Sequence, residues 1–394
     1  MRVLFLSNWY PYPPDNGSKI RIYNLIRGLA QEHKVTLISF MDPSSGKPAN
    51  HLEGICEAVY MIPKREYNAA SASAILGLFD RRPRVLVDRY TPEMNDRIQE
   101  EIDLGSHDVI IASQMYMAAY LDRPGTIPAI FEEVEIGVFE DAVTSSTTPI
   151  SRFRHQLTLT KMGAYYQSLF PHYAACTVVS EMEKKRLEEM VPGYQRIEVI
   201  PNGVDLDSYQ GLHTNPNPKQ LIFTGSFTYR PNFEAMEWFT SQVYPRVLAQ
   251  VPDAKLTITG NSSNLQLLNS KQVSYTGYVE NVRPLIASSW LSLVPIFTGG
   301  GTRLKILEAF ALKTPVVATS KGAEGLDVTH DEHILIADTP EDYTRQTLRL
   351  LQNEELREQL VMNAYKLVEE KYDWAVIMPK FLSLVQEVAN TSLN

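Results

Sequence analysis

Short runs of Val, Ile, Leu and Phe alternate with longer segments in which apolar residues recur at helical spacing. This alternation is typical of parallel β-sheets with crossover helices. In the first half, the runs predict strands at residues 3–7, 34–40, 58–62, 108–112, 129–131, 175–179 and 198–200. Most of these runs are almost continuously hydrophobic, as expected for strands covered on both faces. The helices predicted between them are residues 18–31, 92–101, 151–170 and 181–190.

The alternation restarts in the second half, after a polar stretch at residues 211–218 whose prolines and asparagines indicate a linker. Strands are predicted there at residues 221–224, 255–259, 273–276, 291–294, 316–318 and 334–336. Residues 340–393 are predicted to be helical, with a break at 372–374. Because one hydrophobic core rarely serves 394 residues, we expect two α/β domains.

The charge balance narrows the function. Lys and Arg number 37 and Asp and Glu 46, so the formal net charge is −9, which argues against a general nucleic-acid binder. The first apolar run is too short for a signal peptide, and no later run is long enough to span a membrane. The two cysteines are too few for a disulfide scaffold. We therefore expect a cytoplasmic protein.

A glycine-rich loop between a predicted strand and a helix is the strongest candidate for chemistry. Three glycines allow close approach of a ligand, and the free amides of a helix start favour a phosphate. Two cations and a carboxylate follow, so the segment is suited to a diphosphate. The candidate residues are Gly299, Gly300, Gly301, Thr302, Arg303, Leu304, Lys305 and Glu308.

Other interpretations of this loop remain open. Arg303 and Lys305 point to different faces of a regular helix, so both can touch one diphosphate only if Arg303 lies in the loop. The segment could also be a glycine-rich turn before an amphipathic helix with a surface Lys–Glu pair. The spacing required for a Walker loop is absent, and only Gly17 follows the first strand, which disfavours a nicotinamide dehydrogenase. Gly17 and Lys19 could face an anion, or belong to a proline-stiffened connection.

Three strings resemble glycosyltransferase family 4: residues 199–205 (VIPNGVD), residues 308–319 (EAFALKTPVVAT) and residues 371–374 (KYDW). The resemblance covers nearly the whole chain. It implies a GT-B fold, in which two Rossmann-like, doubly wound parallel-sheet domains face each other across a cleft. The domains would be 1–205 on the acceptor side and 206–374 on the nucleotide-sugar side, with a final helix at about 375–394 packing back on the first domain.

The resemblance also assigns residues on the donor side. Glu308 matches the second glutamate of the family's Glu-x7-Glu motif, which is expected to hold the ribose, whereas Gly300 occupies the place of the first. The family's phosphate-binding Arg and Lys are replaced by Ser226 and Asn232, after Gly225. We expect Arg303 and Lys305 to substitute for them, with Arg230 in reserve. Tyr278 and Val279 match the turn against the nucleobase.

On the acceptor side, many members place a histidine after a strand of the first domain. This chain has Glu132, Glu133 and Glu135 there, and Glu132 or Glu135 could orient the acceptor or the donor sugar. A solvated acidic loop is the alternative. The helix at residues 151–170 carries a basic face with apolar neighbours, which could contact the inner face of a membrane or simply pack on the sheet.

Taken with the residues, the resemblance implies a retaining transferase. It would move a sugar from a UDP- or GDP-sugar to a hydroxyl of a sugar, sugar phosphate, lipid-linked glycan or small molecule. Arg303, Lys305 and the helix start would stabilise the diphosphate leaving group, so neither a cofactor nor an obligatory metal is expected. A nucleotide-sugar-binding subunit without activity and a sugar-nucleotide epimerase are the alternatives.

Overall fold

The computed structural model describes residues 1–42, 50–123, 125–212, 214–261, 270–301 and 303–391. The chain separates into two compact units: unit 1 is Met1–Pro201 with Met378–Asn394, and unit 2 is Asn202–Ile377. These divisions lie four residues before and three residues after the boundaries that the sequence predicts, 205 and 374.

Unit 1 contains, within its described residues, one sheet of seven parallel strands in the order β3-β2-β1-β4-β5-β6-β7. Its strands are β1 (Arg2–Ser7), β2 (Lys34–Met41), β3 (Ala58–Pro63), β4 (Val109–Ser113), β5 (Ala129–Glu132), β6 (Ala175–Val178) and β7 (Ile197–Val199). Its helices are α1 (Gly17–Glu32), α2 (Ala72–Leu76), α3 (Arg84–Arg89), α4 (Pro92–Asp103), α5 (Gln114–Ala118), α6 (Gly137–Thr144), α7 (Pro149–Leu169) and α8 (Glu181–Met190).

Unit 2 contains a six-stranded parallel sheet in the order β10-β9-β8-β11-β12-β13, again within the described residues. Its strands are β8 (Asn217–Thr224), β9 (Lys255–Thr259), β10 (Val273–Gly277), β11 (Ser289–Val294), β12 (Val316–Ala318) and β13 (Leu335–Ile336). Its helices are α9 (Arg230–Trp238), α10 (Tyr244–Gln250), α11 (Arg283–Ala287), α12 (Leu304–Ala311), α13 (Pro340–Gln352) and α14 (Glu354–Leu367), and α15 (Trp374–Thr391) begins in unit 2 and ends in unit 1.

The hydrophobic runs form the cores. Four consecutive residues of β1, Val3 to Leu6, are fully buried, as are Phe223 of β8 and Leu293 of β11. Burial on both faces of the central strands is what the continuous apolar runs predict. The predicted fold class, two Rossmann-like parallel-sheet domains, is confirmed.

The polar stretch that was predicted to be a linker needs correction. Residues 202–210 and the described residues of 211–218 belong to unit 2, and β8 already begins at Asn217. Asn217 donates its backbone N–H to the Ser288 carbonyl before β11, which draws this polar sequence into the sheet. Polarity here marks the exposed start of a strand, because residues 217–219 are exposed and Leu221 is buried.

Each sheet has one point where the strand order reverses. In unit 1 it lies between β1 and β4, and in unit 2 between β8 and β11. In open α/β sheets, ligands bind beyond the carboxyl ends of the strands at this point. Asn8 and Gln114 follow β1 and β4, while Gly225 and the glycine-rich loop follow β8 and β11.

Candidate functional site

The glycine-rich loop of unit 2 is shaped by backbone that only glycine adopts easily. Gly299 and Gly301 have φ values of +90° and +83°. A Cβ on Gly299 would lie 2.1 Å from the Tyr229 hydroxyl, so the loop also needs the space that glycine leaves. Gly300 continues this turn. Thr302 lies outside the described residues.

Arg303 lies in the loop rather than in the helix, because α12 begins at Leu304 and Arg303 is its N-cap residue. The geometric condition for two cations at one diphosphate is therefore met. The guanidinium, however, folds back on the loop: it donates hydrogen bonds to the carbonyl oxygens of Gly300 at 2.9 Å, Thr298 at 3.3 Å and Gly299. Arg303 is 8% exposed, so much of its hydrogen-bonding capacity maintains the turn.

Lys305 reaches across from α12 to the end of β8. Its Nζ donates to Asn232 Oδ1 at 3.0 Å and lies 4.4 Å from the centre of the Phe223 ring. A Cβ on Gly225 would come within 3.0 Å of the same Nζ. Burial, aided by the positive charge of Arg303 and opposed by the charge of Glu308, lowers the pKa of Lys305 to about 7.

Asn232 joins this ammonium to the loop after β8. Its Nδ2 donates to the Ser226 carbonyl at 2.7 Å while its Oδ1 accepts from Lys305. The loop also packs closely on Gly260, because a Cβ on Gly260 would lie only 1.9 Å from the Gly225 carbonyl oxygen. Lys305 thus presents its charge beside Asn232, the residue that stands where family 4 usually has a lysine.

Glu308 lies one turn further along α12, in a polar contact with Tyr209. The Tyr209 hydroxyl donates to Glu308 Oε1 at 3.3 Å, and the Arg283 guanidinium covers the Tyr209 ring at 4.0 Å. Burial raises the pKa of Glu308, against the Tyr209 hydrogen bond and the charges of Arg283 and Lys305. A partly buried acceptor of this kind suits sugar hydroxyls.

The remaining donor-side predictions lie at the surface. Tyr278 follows β10 and its side chain is 76% exposed, with Val279 half-buried beside it in sequence. Arg230 is the first residue of α9, and its exposed side chain pairs with Glu234 at 2.6 Å. Leu304, the first residue of α12, is half-buried. The structure therefore draws Gly225, Ser226 and Lys305 together and directs Arg230 to a surface ion pair.

The side chain of Glu132, in unit 1, is buried and forms hydrogen bonds within the fold. Both it and Arg21 are fully buried, and Glu132 Oε1 accepts from Arg21 Nε at 2.6 Å. Its Oε2 accepts from the Ser113 hydroxyl at 2.7 Å, and Arg21 also donates to the Ile200 carbonyl at 2.8 Å. These contacts give Glu132 a structural role in joining β4, β5 and the end of unit 1, and the catalytic role predicted for it stays a prediction.

Glu133, which sequence reasoning passed over, is the carboxyl group at the reversal point of this sheet. Its Oε2 accepts from Gln114 Nε2 at 2.8 Å, and Gln114 Oε1 accepts from Asn8 Nδ2 at 3.1 Å. Burial, followed by the charges of Glu132 and Glu135, raises the pKa of Glu133 well above its usual range. Burial therefore favours the protonated form of Glu133, in which a carboxyl group can donate a hydrogen bond.

The backbone around this carboxyl group is unusual. Glu133 has a φ of +58° and Gln114 of +67°, values that non-glycine residues rarely adopt. Thr177 holds the first of them, because its hydroxyl accepts the Glu133 N–H at 3.0 Å. Strain of this kind clusters at functional sites. A glutamate with a left-handed backbone conformation after a strand leaves no pattern in the sequence. This explains why sequence reasoning missed Glu133.

Glu135 and Gly17 take less central positions in unit 1. Glu135 is half-buried and acts on Glu133 through its charge. Gly17 is the exposed first residue of α1, whose N-cap is Asn16, and Lys19 pairs with Asp15 at 2.9 Å. Ser18 of the same turn accepts from Gln114 Nε2 at 3.2 Å. The start of α1 therefore contacts the Gln114 side chain through Ser18.

No group of three or more His, Cys, Asp or Glu side chains in the described part of the chain is placed to hold a metal ion. No helix there combines the length and apolar character needed to cross a membrane.

Comparison with known families gives two matches that together cover most of the chain. Residues 15–208 match the family described as Glycosyltransferase Family 4. Residues 218–353 match the family described as Glycosyl transferases group 1.

Individual relatives are distant. An uncharacterized 44.6 kDa protein in the cps region of Klebsiella pneumoniae is 27% identical, over 94% of this chain and 96% of its own. An uncharacterized glycosyltransferase of Methanocaldococcus jannaschii is 24% identical over 51% of this chain and 57% of its own.

Solved structures with the same fold cover nearly the whole chain. Sucrose-phosphate synthase of Thermosynechococcus elongatus has a TM-score of 0.73 at 16% identity, over 99% of this chain and 100% of its own. HepE of Anabaena, in complex with UDP, has a TM-score of 0.68 at 14% identity, over 98% of this chain and 100% of its own.

Proposed function

Since this chain belongs to glycosyltransferase family 4, we propose that it transfers a sugar from a nucleoside diphosphate sugar to a hydroxyl group of an acceptor. UDP- and GDP-sugars are the donors, and the anomeric configuration is retained, as the family resemblance implies. Unit 2 binds the donor and unit 1 the acceptor.

The arrangement around Lys305 is the observation that carries this proposal. Its ammonium lies where the loop after β8 meets the start of α12, held at 3.0 Å by an uncharged amide oxygen. A diphosphate there would gain a full positive charge, the amides at the start of α12 and the close approach that Gly225 permits. Such preorganised groups stabilise a diphosphate leaving group as the glycosidic bond breaks.

The rest of the donor is assigned to neighbouring side chains. Glu308, one helical turn beyond Lys305, accepts hydrogen bonds from the ribose hydroxyls. Tyr278, an exposed ring after β10, offers a face on which a nucleobase can stack. HepE was solved in complex with UDP and with UDP-glucose, which makes uridine the first base to test.

On the acceptor side, Glu133 takes the part that the histidine has in many family members. Its carboxyl group forms a hydrogen bond with the bound sugar, and Gln114 orients it by donating to its Oε2. Arg303 acts by holding the glycine-rich loop in shape, through its hydrogen bonds to three loop carbonyls. No metal ion is required for these steps.

The test is isothermal titration calorimetry with a panel of UDP- and GDP-sugars, comparing the native chain with Lys305→Met. The matched control is Arg246→Met, which removes an exposed cation of the same unit. We expect one donor to bind, Lys305→Met to weaken it at least tenfold, and Arg246→Met to leave it unchanged. Equal affinity of the native chain and Lys305→Met would refute the assigned diphosphate site.

Turnover then separates the enzyme classes. Acceptor-dependent release of the nucleoside diphosphate identifies a transferase, and the product's anomeric configuration by NMR tests retention. A changed sugar on an intact donor would identify an epimerase instead, and binding without turnover a non-catalytic subunit.

A peripheral membrane contact completes the proposal. Ile150, Phe153 and Leu157 lie within one face of α7 and are exposed, with the exposed Arg152 and Arg154 between them. Phe79 is 87% exposed. Exposed apolar side chains with flanking cations suit an anionic lipid surface. The native chain should co-sediment with vesicles containing phosphatidylglycerol, and Phe153→Ser should do so less. A native chain that stays in the supernatant would contradict this contact.

A further inference from the structure

Unit 2 contains a cavity of about 790 Å³ at the amino ends of β8, β11 and β12, the edge of the sheet opposite to the glycine-rich loop. Its walls are the loop before β8, the ends of α11 and α12, and one side of α14. None of the described residues that line it is assigned to the donor. The cavity has room for a small organic molecule, since ligand sites commonly occupy about 300–1,000 Å³.

One corner of this cavity is positively charged. Lys313 and Arg357 line it, and the Arg357 guanidinium donates a hydrogen bond to the Lys313 carbonyl oxygen at 3.4 Å. No aspartate or glutamate is found among the described lining residues; Glu354 and Glu358 act on Arg357 through their charge from outside the cavity. Two full positive charges outweigh the partial negative charge, about half a unit, at the end of α12. This corner therefore favours an anion.

Rings and carbonyl groups, rather than carboxylates, are the direct contacts of both cations within the described residues. The exposed Lys313 side chain places its Nζ 4.8 Å from the centre of the Tyr365 ring. Arg357 is 8% exposed, lies 4.4 Å from the centre of the Trp290 ring and donates from Nε to the Trp290 carbonyl at 3.1 Å. An anion in the cavity would therefore be the first charged partner in direct contact with either group.

The backbone of Lys313 also points to a use for its side chain. Lys313 follows α12 with a φ of +56°, a left-handed conformation that glycine usually supplies at the end of a helix. The turn is complete, because Lys313 donates its N–H to the Phe310 carbonyl at 3.0 Å and Thr314 donates to the Ala309 carbonyl at 2.8 Å. Glycine would form this turn without strain, and strained residues cluster at functional sites.

The rest of the lining suits a ligand with hydroxyl groups. Gln210, Thr214 and Asn215 bring amide and hydroxyl groups to the cavity, and Tyr209 and Tyr365 bring aromatic rings. A phosphate monoester carries a charge of about −1.5 to −2 at neutral pH, which two cations match. Amides and hydroxyls both donate and accept hydrogen bonds, as sugar hydroxyls require.

Tyr209 joins this cavity to the proposed donor site. Its ring lines the cavity, and its hydroxyl donates to Glu308 Oε1 at 3.3 Å. The second connection is α12, which carries Lys305 and Glu308 and reaches the cavity after eight residues, about 12 Å. A ligand packed against Tyr209 would fix the side chain that contacts Glu308. Glu308 would then lose less freedom when the donor binds.

We propose that this cavity binds a phosphate dianion, free or as the monoester of a sugar, and that its occupation strengthens binding of the nucleotide sugar. The second part rests on the function proposed above, whereas binding to the cavity does not depend on it. Because coupling between two sites is reciprocal, the nucleotide sugar must strengthen binding in the cavity by the same factor.

Calorimetry with ribose 5-phosphate and with inorganic phosphate tests the cavity directly. We expect binding to the native chain and a loss of roughly tenfold or more in Lys313→Gly, which removes one of the two charges. Lys313→Gly also removes the left-handed strain, so its midpoint of urea unfolding should rise, which excludes misfolding as the cause. The matched control, Lys255→Met, removes an exposed lysine at the start of β9 and should bind like the native chain.

The two probes distinguish the sources of the phosphate. Tighter binding of ribose 5-phosphate identifies a sugar monoester, and equal binding of both identifies the free ion. Binding of neither probe, or binding that is unchanged in Lys313→Gly, overturns the cavity site and leaves the donor site standing.

The coupling is measured by titrating the nucleotide sugar with and without a saturating amount of the tighter probe. We expect donor affinity to rise about fivefold or more in the native chain and in Lys255→Met. Tyr209→Phe keeps the ring and loses the hydroxyl that contacts Glu308, so it should still bind the probe and lose the rise. A donor affinity that is unchanged or lowered by the probe in the native chain overturns the coupling.

Failure of the proposed function would be recognised separately. If no nucleotide sugar binds the native chain, the proposed function fails and the coupling fails with it. Binding of ribose 5-phosphate or inorganic phosphate that depends on Lys313 would still support the cavity site.

Discussion

Replacing Lys305 by Met tests the proposed donor site at its charged centre. The side chain keeps its length and loses its charge, so the hydrogen bond to Asn232, 3.0 Å long, is lost while the packing on Phe223 is retained. A hydrogen bond to a charged group contributes about 1.5–3 kcal/mol, which corresponds to a loss of donor affinity of roughly 10- to 150-fold.

Binding of the donor should also protonate Lys305. Its pKa is about 7 in the free protein, and a bound diphosphate raises it, because an opposite charge favours the charged form. Above pH 7, donor binding should therefore take up a proton and weaken by as much as tenfold per pH unit. A nucleotide sugar is the ligand to use, since its diphosphate carries no proton in this range.

The assay is calorimetry at pH 8 in two buffers that differ in ionisation enthalpy. For the native chain the apparent binding enthalpy should differ between buffers, and for Lys305→Met it should not. Equal buffer dependence in both proteins would show that the proton goes elsewhere and would refute the reasoning.

The pH dependence of the free energy of unfolding gives an independent test of the lowered Lys305 pKa. The folded-state pKa lies below the usual Lys value, so the unfolded chain binds more protons between about pH 7 and 10.5, and native stability rises with pH across that window by up to about 1.4 kcal/mol per pH unit. The free energy of unfolding of Lys305→Met should exceed that of the native chain most at or below pH 7. This difference should shrink towards pH 10.5. A constant difference across the window would contradict the lowered pKa.

Three further predictions concern the supports of the two sites. Glu132→Gln leaves the buried Arg21 without its counter-charge, so the free energy of unfolding in urea should fall by about 3–5 kcal/mol; a loss below 1 kcal/mol would rule out the structural role. The raised pKa of Glu133 stabilises the native chain below the usual Glu pKa, and this contribution is lost as the pH rises through the folded-state pKa. The free energy of unfolding of Glu133→Gln, measured in urea at a series of pH values, should lack that loss. The same pH dependence in both proteins would exclude a raised pKa. Gly260→Ala places a methyl group against the Gly225 carbonyl, and we expect a loss of about 1–3 kcal/mol in thermal unfolding with weaker donor binding; native behaviour in both would show that the loop can move aside.

The strands were predictable because burial on two faces leaves a continuous apolar run. Each predicted strand is present with ends shifted by a few residues, as at β5, predicted as 129–131 and observed as Ala129–Glu132. Only the start of β8 was missed, because its exposed first residues read as a linker. Local hydrophobicity decides where such elements lie.

The site was less predictable, because its contacts join residues far apart in sequence. Glu132 pairs with Arg21, 111 residues away, and nothing near Glu132 signals that its charge is already used. Arg303 was identified as a phosphate ligand from its charge, while its short-range contacts with the loop carbonyls depend on a turn that the sequence does not specify. Lys305 does reach the loop after β8, where it donates to Asn232, and its substitution for the family's phosphate-binding lysine stays a prediction.

A crystal structure of the chain with the nucleotide sugar selected by calorimetry tests the central claim most directly. We expect the diphosphate within hydrogen-bond distance of Lys305 Nζ and of the first amides of α12, and the nucleobase against Tyr278. A diphosphate bound elsewhere, with Lys305 still held by Asn232 alone, would contradict the proposed donor site.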